Sequence, residues 1–151
     1  MAPDNEDLSD KSPQSSRDEV FRSIGMYVYW FSQLEYVLRI VAVELLGLSS
    51  EQAGGVMPVI DFASICGTCR AHIHKVPAES REKGLELIKR AFQVNEDRIR
   101  VAHGFWSKGG ALHVSRSSFK RGMHFSEPGE LQRKAEEVKA LTDQIWDLFL
   151  I

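Results

Sequence analysis

The segment NEDRIRVAHGFW, residues 95–106, contains the pairing best suited to chemistry: Arg98 and, five residues on, His103. A guanidinium stays charged and can grip two phosphate oxygens at once, whereas an imidazole titrates near neutrality and can give or take a proton. Together they suit a reaction in which charge builds on phosphorus while a proton moves. Arg100 is a further cation beside them. Spacing alone is a weak signal, since a chain with this many Arg and His presents such a pair about once by chance. The context is rarer: the pair closes a long amphipathic stretch, Gly104 follows the histidine, and Phe105 and Trp106 come next.

Residues five apart on a helix diverge by about 140°, so one copy of the pair makes a poor site. Either the helix ends near Ala102 and lets His103 turn, or a twofold-related chain brings a second pair across. The ordinary alternative is that Arg98 forms a helix-surface ion pair and His103 caps the helix end.

The elements that must position the pair are helical. From 17 to 46 there is no proline, and Ile24, Val28, Phe31, Leu34 or Glu35, Leu38, Val41 and Leu45 recur at helical steps behind a cap at Ser15 or Ser16. Val20, Tyr27, Trp30, Val37 and Ile40 widen that apolar surface, so the helix is wrapped on most sides, by a second copy or by the rest of its own chain. Gly47 closes it, and Ser49 or Ser50 caps a short turn interrupted by Pro58. Asp61 caps a second main helix over 62–75, and Pro77 opens a third over 78–103, with Leu85, Ile88, Phe92 and Ile99 as its buried row and Gly84 weakening it slightly. Between 104 and 127 a short hairpin or ordered loop is expected, because Leu112 and Val114 alternate with His113 and Ser115 among glycines. A last helix spans 128–150, with Pro128 in its first turn.

Composition bounds the rest. With 151 residues, 43% of them hydrophobic and 26% charged, the chain is an ordinary globular domain, of a size that buries roughly two thirds of its unfolded surface. Residues 1–16 read as a disordered acidic tail and 17–151 as one helical domain. No apolar run suits a membrane span or a secretory leader, so a cytoplasmic protein is expected. The formal charge is -2, but residues 1–16 carry -3 and leave the remainder at +1, which suits a local RNA contact rather than the coating of long nucleic acids. Walker, Rossmann, nucleophile-elbow and EF-hand patterns are absent.

Three other groupings carry chemistry. Cys66, Cys69, His72 and His74 have zinc-binding side chains, but on a helix they point too widely to surround one ion, and buried thiols beside solvent-facing histidines are the simpler expectation. Glu35 interrupts an apolar row and needs a cation, either Arg98 or Arg39 one turn away. The segment HVSRSSFKRGMHF sets Arg116, Lys120 and Arg121 beside Phe119 and His124, types that hold phosphates and stack on single-stranded bases, or else form a solvated loop.

The run RIRVAHG resembles the signature of the HEPN domain family: Arg, four to six residues, then His, at the end of a helix within an α-helical bundle. The likeness extends in helix order over most of 17–150, including a first helix of the form FSQLEYVLRIVAVELLGL. It implies an all-α bundle of four to five helices, with the hairpin or loop inserted before the last, and a homodimer in which Arg98 and His103 of both copies meet in one cleft. It also implies a metal-independent endoribonuclease acting on single-stranded RNA, without cofactor, of the kind found among toxins and phage-defence effectors. An antitoxin or other regulatory protein is then a partner. On this resemblance His103 moves the proton of a ribose 2′-hydroxyl or leaving 5′-oxygen and Arg98 clamps the phosphate, while Arg100, Arg116, Lys120 and Arg121 hold the RNA. Ile99 stands where active members often carry a polar residue, and with the modest charge it favours the alternative, a non-catalytic HEPN-like module that binds nucleotide, RNA or protein.

Overall fold

The structure is a computed structural model that describes residues 13–107, 109–115 and 118–151, with side chains from Arg17 onward. Most of the expected acidic tail, 1–12, and Arg116 lie outside the described residues.

Helix α1 (Pro13–Leu46) begins a turn ahead of the expected start at residue 17. Proline costs nothing in a first turn, where its missing N–H would have no helical partner. The helix ends as anticipated at Gly47, which adopts φ +64. Gly47 N donates to Glu44 O and Leu48 N to Val43 O, both at 3.1 Å, the paired bonds of a left-handed glycine stop. Helix α2 (Ser50–Val56) is opened by Ser49, whose hydroxyl accepts from Gln52 N while Gln52 returns an acceptor to Ser49 N. Pro58 lies in a 3₁₀ turn (Met57–Val59), and Asp61 caps α3 (Phe62–Ala71) by accepting from Ser64 N at 2.7 Å.

Helix α3 is shorter than expected, because the chain tightens into a 3₁₀ turn (Ile73–Lys75) before Pro77. Another 3₁₀ turn (Ala78–Ser80) delays α4 (Arg81–His103), which was expected to start at residue 78. The region before the last helix holds a three-stranded antiparallel sheet rather than a simple hairpin: β1 (Phe105–Ser107), β2 (Gly110–Val114) and β3 (Arg121–His124), in that order. Strand β1 is too short to display an alternating pattern, which is why sequence periodicity missed it. Gly129, at φ +72, precedes α5 (Glu130–Phe149), so Pro128 sits ahead of the helix instead of in its first turn.

Helix α1 packs most extensively on α5 and also on α3 and α4, around a core that includes Tyr27, Leu34, Leu38, Ile65, Leu87, Ile88, Leu141 and Ile145. Tyr27 Oη donates to Val94 O at 2.9 Å and ties α1 to α4. The buried row of α4 differs from the expected one: Leu85 is exposed, whereas Leu87, Ile88, Ala91 and Gly84 face inward. A Cβ on Gly84 would stand 2.9 Å from Ile73 Cδ1 and 3.1 Å from Phe149 Cζ, so this glycine permits close packing rather than merely weakening the helix. Glu35 pairs with Arg39 at 3.0 Å, not with Arg98. Among the described residues no helix is long and apolar enough to cross a membrane.

Candidate functional site

Helix α4 carries Arg98 and His103 to different sides. The helix stays regular to its last residue, with Gly104 N donating to Arg100 O at 2.9 Å, so the chain does not turn early at Ala102. Arg98 lies toward α1: its guanidinium carbon is 5.4 Å from the centroid of the Phe31 ring, and Nη2 donates to Asn95 Oδ1 at 3.2 Å. Its Nε is buried without a hydrogen-bond partner. His103 is exposed at the helix end. One chain therefore does not unite the pair, as the divergence of about 140° over five helical residues requires.

The opposite side of α4 faces the sheet across a cleft of about 240 Å³. Arg100 and Ile99 line it from α4, His113 from β2, and Lys120, Arg121 and His124 from β3 and its approach. Glu96 and Gly122 complete the walls, with Ser115 at the strand end. Three of the four expected RNA-contacting residues thus meet at one place, and the fourth, Arg116, is not described. His103 lies about 60° around the helix from Arg100 and Arg98 about 160° away, and neither lines the cleft.

The sheet register brings the imidazoles together. Ala111 pairs with His124 and His113 with Gly122, so His113, Gly122 and His124 share one face. The two rings lie 6.5 Å apart between centroids. Sequence reasoning noted each histidine separately but missed the pair, because strand alternation tells which face a residue takes and not which residue lies opposite. The sheet is anchored to α4 by Trp106, whose Nε1 donates to Val101 O at 3.2 Å and whose ring stacks on Phe125 at 5.7 Å.

Electrostatics distinguish His124. Partial burial lowers its pKa below the usual imidazole value, and the charge of Arg100 and of a protonated His113 lowers it further; Asp97 and Glu130 oppose the shift. The neutral ring is therefore favoured at neutral pH. Arg100 is steadied by Asp97 Oδ1 at 3.2 Å, and the other oxygen of Asp97 meets Lys134 Nζ of α5 at 3.3 Å. Phe119, just before Lys120, is 81% exposed and holds φ +55, a conformation uncommon for an aromatic residue.

The cysteine and histidine cluster resolves differently. Cys66 and Cys69 point into the core, Cys69 Sγ approaches Leu38 O at 3.8 Å, and burial pushes both thiols up to about 12. His72 turns back to Thr68 O at 2.9 Å and His74 is exposed, so thiols and imidazoles do not converge. Among the described residues no group of three or more His, Cys, Asp or Glu is arranged to hold a metal ion.

In comparisons with protein-family models, curated proteins and solved structures, nothing matches this chain.

Proposed function

We propose that this chain is a HEPN-like, metal-independent endoribonuclease that takes a single strand of RNA into the cleft between α4 and the sheet. The observation that carries the reading is the convergence of Arg100, Lys120 and Arg121 beside two imidazoles. Three cations along one groove suit consecutive phosphates, and exposed Phe119 offers a ring on which a base can stack. The near-neutral body fits a local grip of this kind.

On this reading the active form is a cytoplasmic homodimer. A second copy covers the side of α1 on which Phe21, Val28, Tyr29 and Tyr36 are exposed. Such an enzyme needs restraint, so an antitoxin or regulatory protein belongs to the same reading, in a toxin or phage-defence setting. A second reading, a non-catalytic RNA-binding module, is favoured by Ile99 in the cleft and by the engagement of Arg98 with Phe31 and Asn95.

Incubation of the purified chain with labelled single-stranded RNA in EDTA separates the two. Cleavage that is lost in His103→Ala supports the enzyme with the HEPN pair, whereas bound but intact RNA supports the module. A light-scattering mass of one chain at micromolar concentration removes the homodimer.

A further inference from the structure

The cleft contains two titratable rings for which the Arg98 and His103 pairing has no use. Both are on adjacent strands of a hydrogen-bonded sheet, so their separation is set by backbone register rather than by a loop. We propose that His113 and His124 of a single chain are the proton-transfer pair that cleaves an RNA phosphodiester held in this cleft. The inference rests on the cleft being the RNA site.

Three features support it. The ring centroids lie 6.5 Å apart, close enough for one phosphate group on the cleft side to meet both imidazoles. Arg100, Lys120 and Arg121 line the same cleft and supply the positive charge that phosphoryl transfer requires. Gly122 leaves open the space beside Nε2 of His124, where a Cβ would stand 3.1 Å away.

The surrounding charges assign the roles. The groups bearing on His124 are Asp97 and Arg100 from α4, His113 from β2 and Glu130 from α5, while Glu96, Lys120 and Arg121 share the cleft. Burial and the charge of Arg100 favour the neutral ring of His124, which suits it to act as the base. His124 takes the proton of the ribose 2′-hydroxyl as O2′ forms its bond to phosphorus. The bond from phosphorus to O5′ breaks, and His113, in its imidazolium form, gives its proton to O5′. The products are a 2′,3′-cyclic phosphate and a 5′-hydroxyl, with no electron transferred and no further reactant consumed. The guanidinium and ammonium groups hold the non-bridging oxygens throughout.

The test uses the full chain, an end-labelled single-stranded RNA and EDTA over a range of pH. The wild type is expected to leave cyclic phosphate ends and to spare an RNA carrying 2′-deoxyribose at the cleaved position. His113→Asn and His124→Asn, polar replacements on a partly exposed sheet face, should retain the wild-type melting temperature and bind RNA within about threefold of wild type. Each should slow cleavage by about 10²- to 10⁴-fold, and His124→Asn should abolish the acid limb of the pH profile. Wild-type rates in both variants, or cleavage of the deoxy substrate, overturn the assignment while leaving the RNA reading intact. A wild type that neither binds nor cleaves RNA overturns both together.

Discussion

Gly122 and His124 lie two residues apart on one face of β3, and a methyl carbon on Gly122 would come within 3.1 Å of Nε2 of His124. The imidazole therefore lies back over its own strand, toward His113, in space that any other residue at 122 would fill. Glycine within a strand commonly marks such a close approach, and here the group approaching is a titratable ring on the cleft.

Gly122→Ala should consequently displace His124 by a few tenths of an ångström while leaving the sheet paired. We expect RNA cleavage to fall by about 10-fold with little change in melting temperature, since misplacement by a whole ångström can cost about 10²-fold. An alanine variant with wild-type turnover would show that the ring does not need this space.

RNA binding should weaken with salt to a degree that counts the cationic contacts. Arg100, Lys120 and Arg121 line the cleft, and three phosphates neutralised on a single strand correspond to a slope of log K against log salt of about -2. Lys120→Ala should reduce that slope by about 0.7. Fluorescence anisotropy of a labelled oligonucleotide at several salt concentrations measures both, and an unchanged slope in the variant would remove Lys120 from the interface.

Arg39 should matter to stability far more than the carboxylate it pairs with. Its guanidinium donates to Glu35 and also to the backbone carbonyls of Met57 and Ile60, which clasps the turn after α2 onto α1. Arg39→Ala should destabilise the fold by about 2 kcal/mol, because two carbonyls lose a charged donor. Glu35→Gln removes a partly exposed ion pair and should cost under about 1 kcal/mol. Urea unfolding of both variants tests the ranking, and equal losses would contradict it.

The two thiols should respond to pH only at the alkaline end. Burial raises Cys66 and Cys69 from the ordinary 9.0 to about 12, and burial likewise raises the Tyr27 phenol. A pKa higher in the folded state than in the unfolded state stabilises fully below the unfolded value and loses that contribution as pH climbs through the folded one. The urea midpoint, insofar as these groups set it, should hold steady below about pH 8.5 and decline above about pH 9. Both cysteines should resist a thiol-specific reagent until the chain is unfolded, and rapid labelling of the native protein would place them at the surface instead.

Several features were legible in the sequence because their signals act within a turn or two of backbone. Gly47 and Asp61 stop and start helices by bonds that span three to five residues, and those bonds form as anticipated. The divergence of Arg98 from His103 also follows from helical rise and turn alone. What the tertiary structure decided was which distant residues meet. The buried row of α4 runs through Leu87 rather than Leu85 because Gly84 lets Ile73 and Phe149 close against that side, a contact no periodicity encodes. His113 and His124 become neighbours through the register of β2 on β3, and a slip of one residue would send one ring to the other face. Residue types and local stops were thus set by nearby backbone chemistry, whereas the joining of cations and imidazoles in one cleft depended on strand pairing and helix packing across the whole chain.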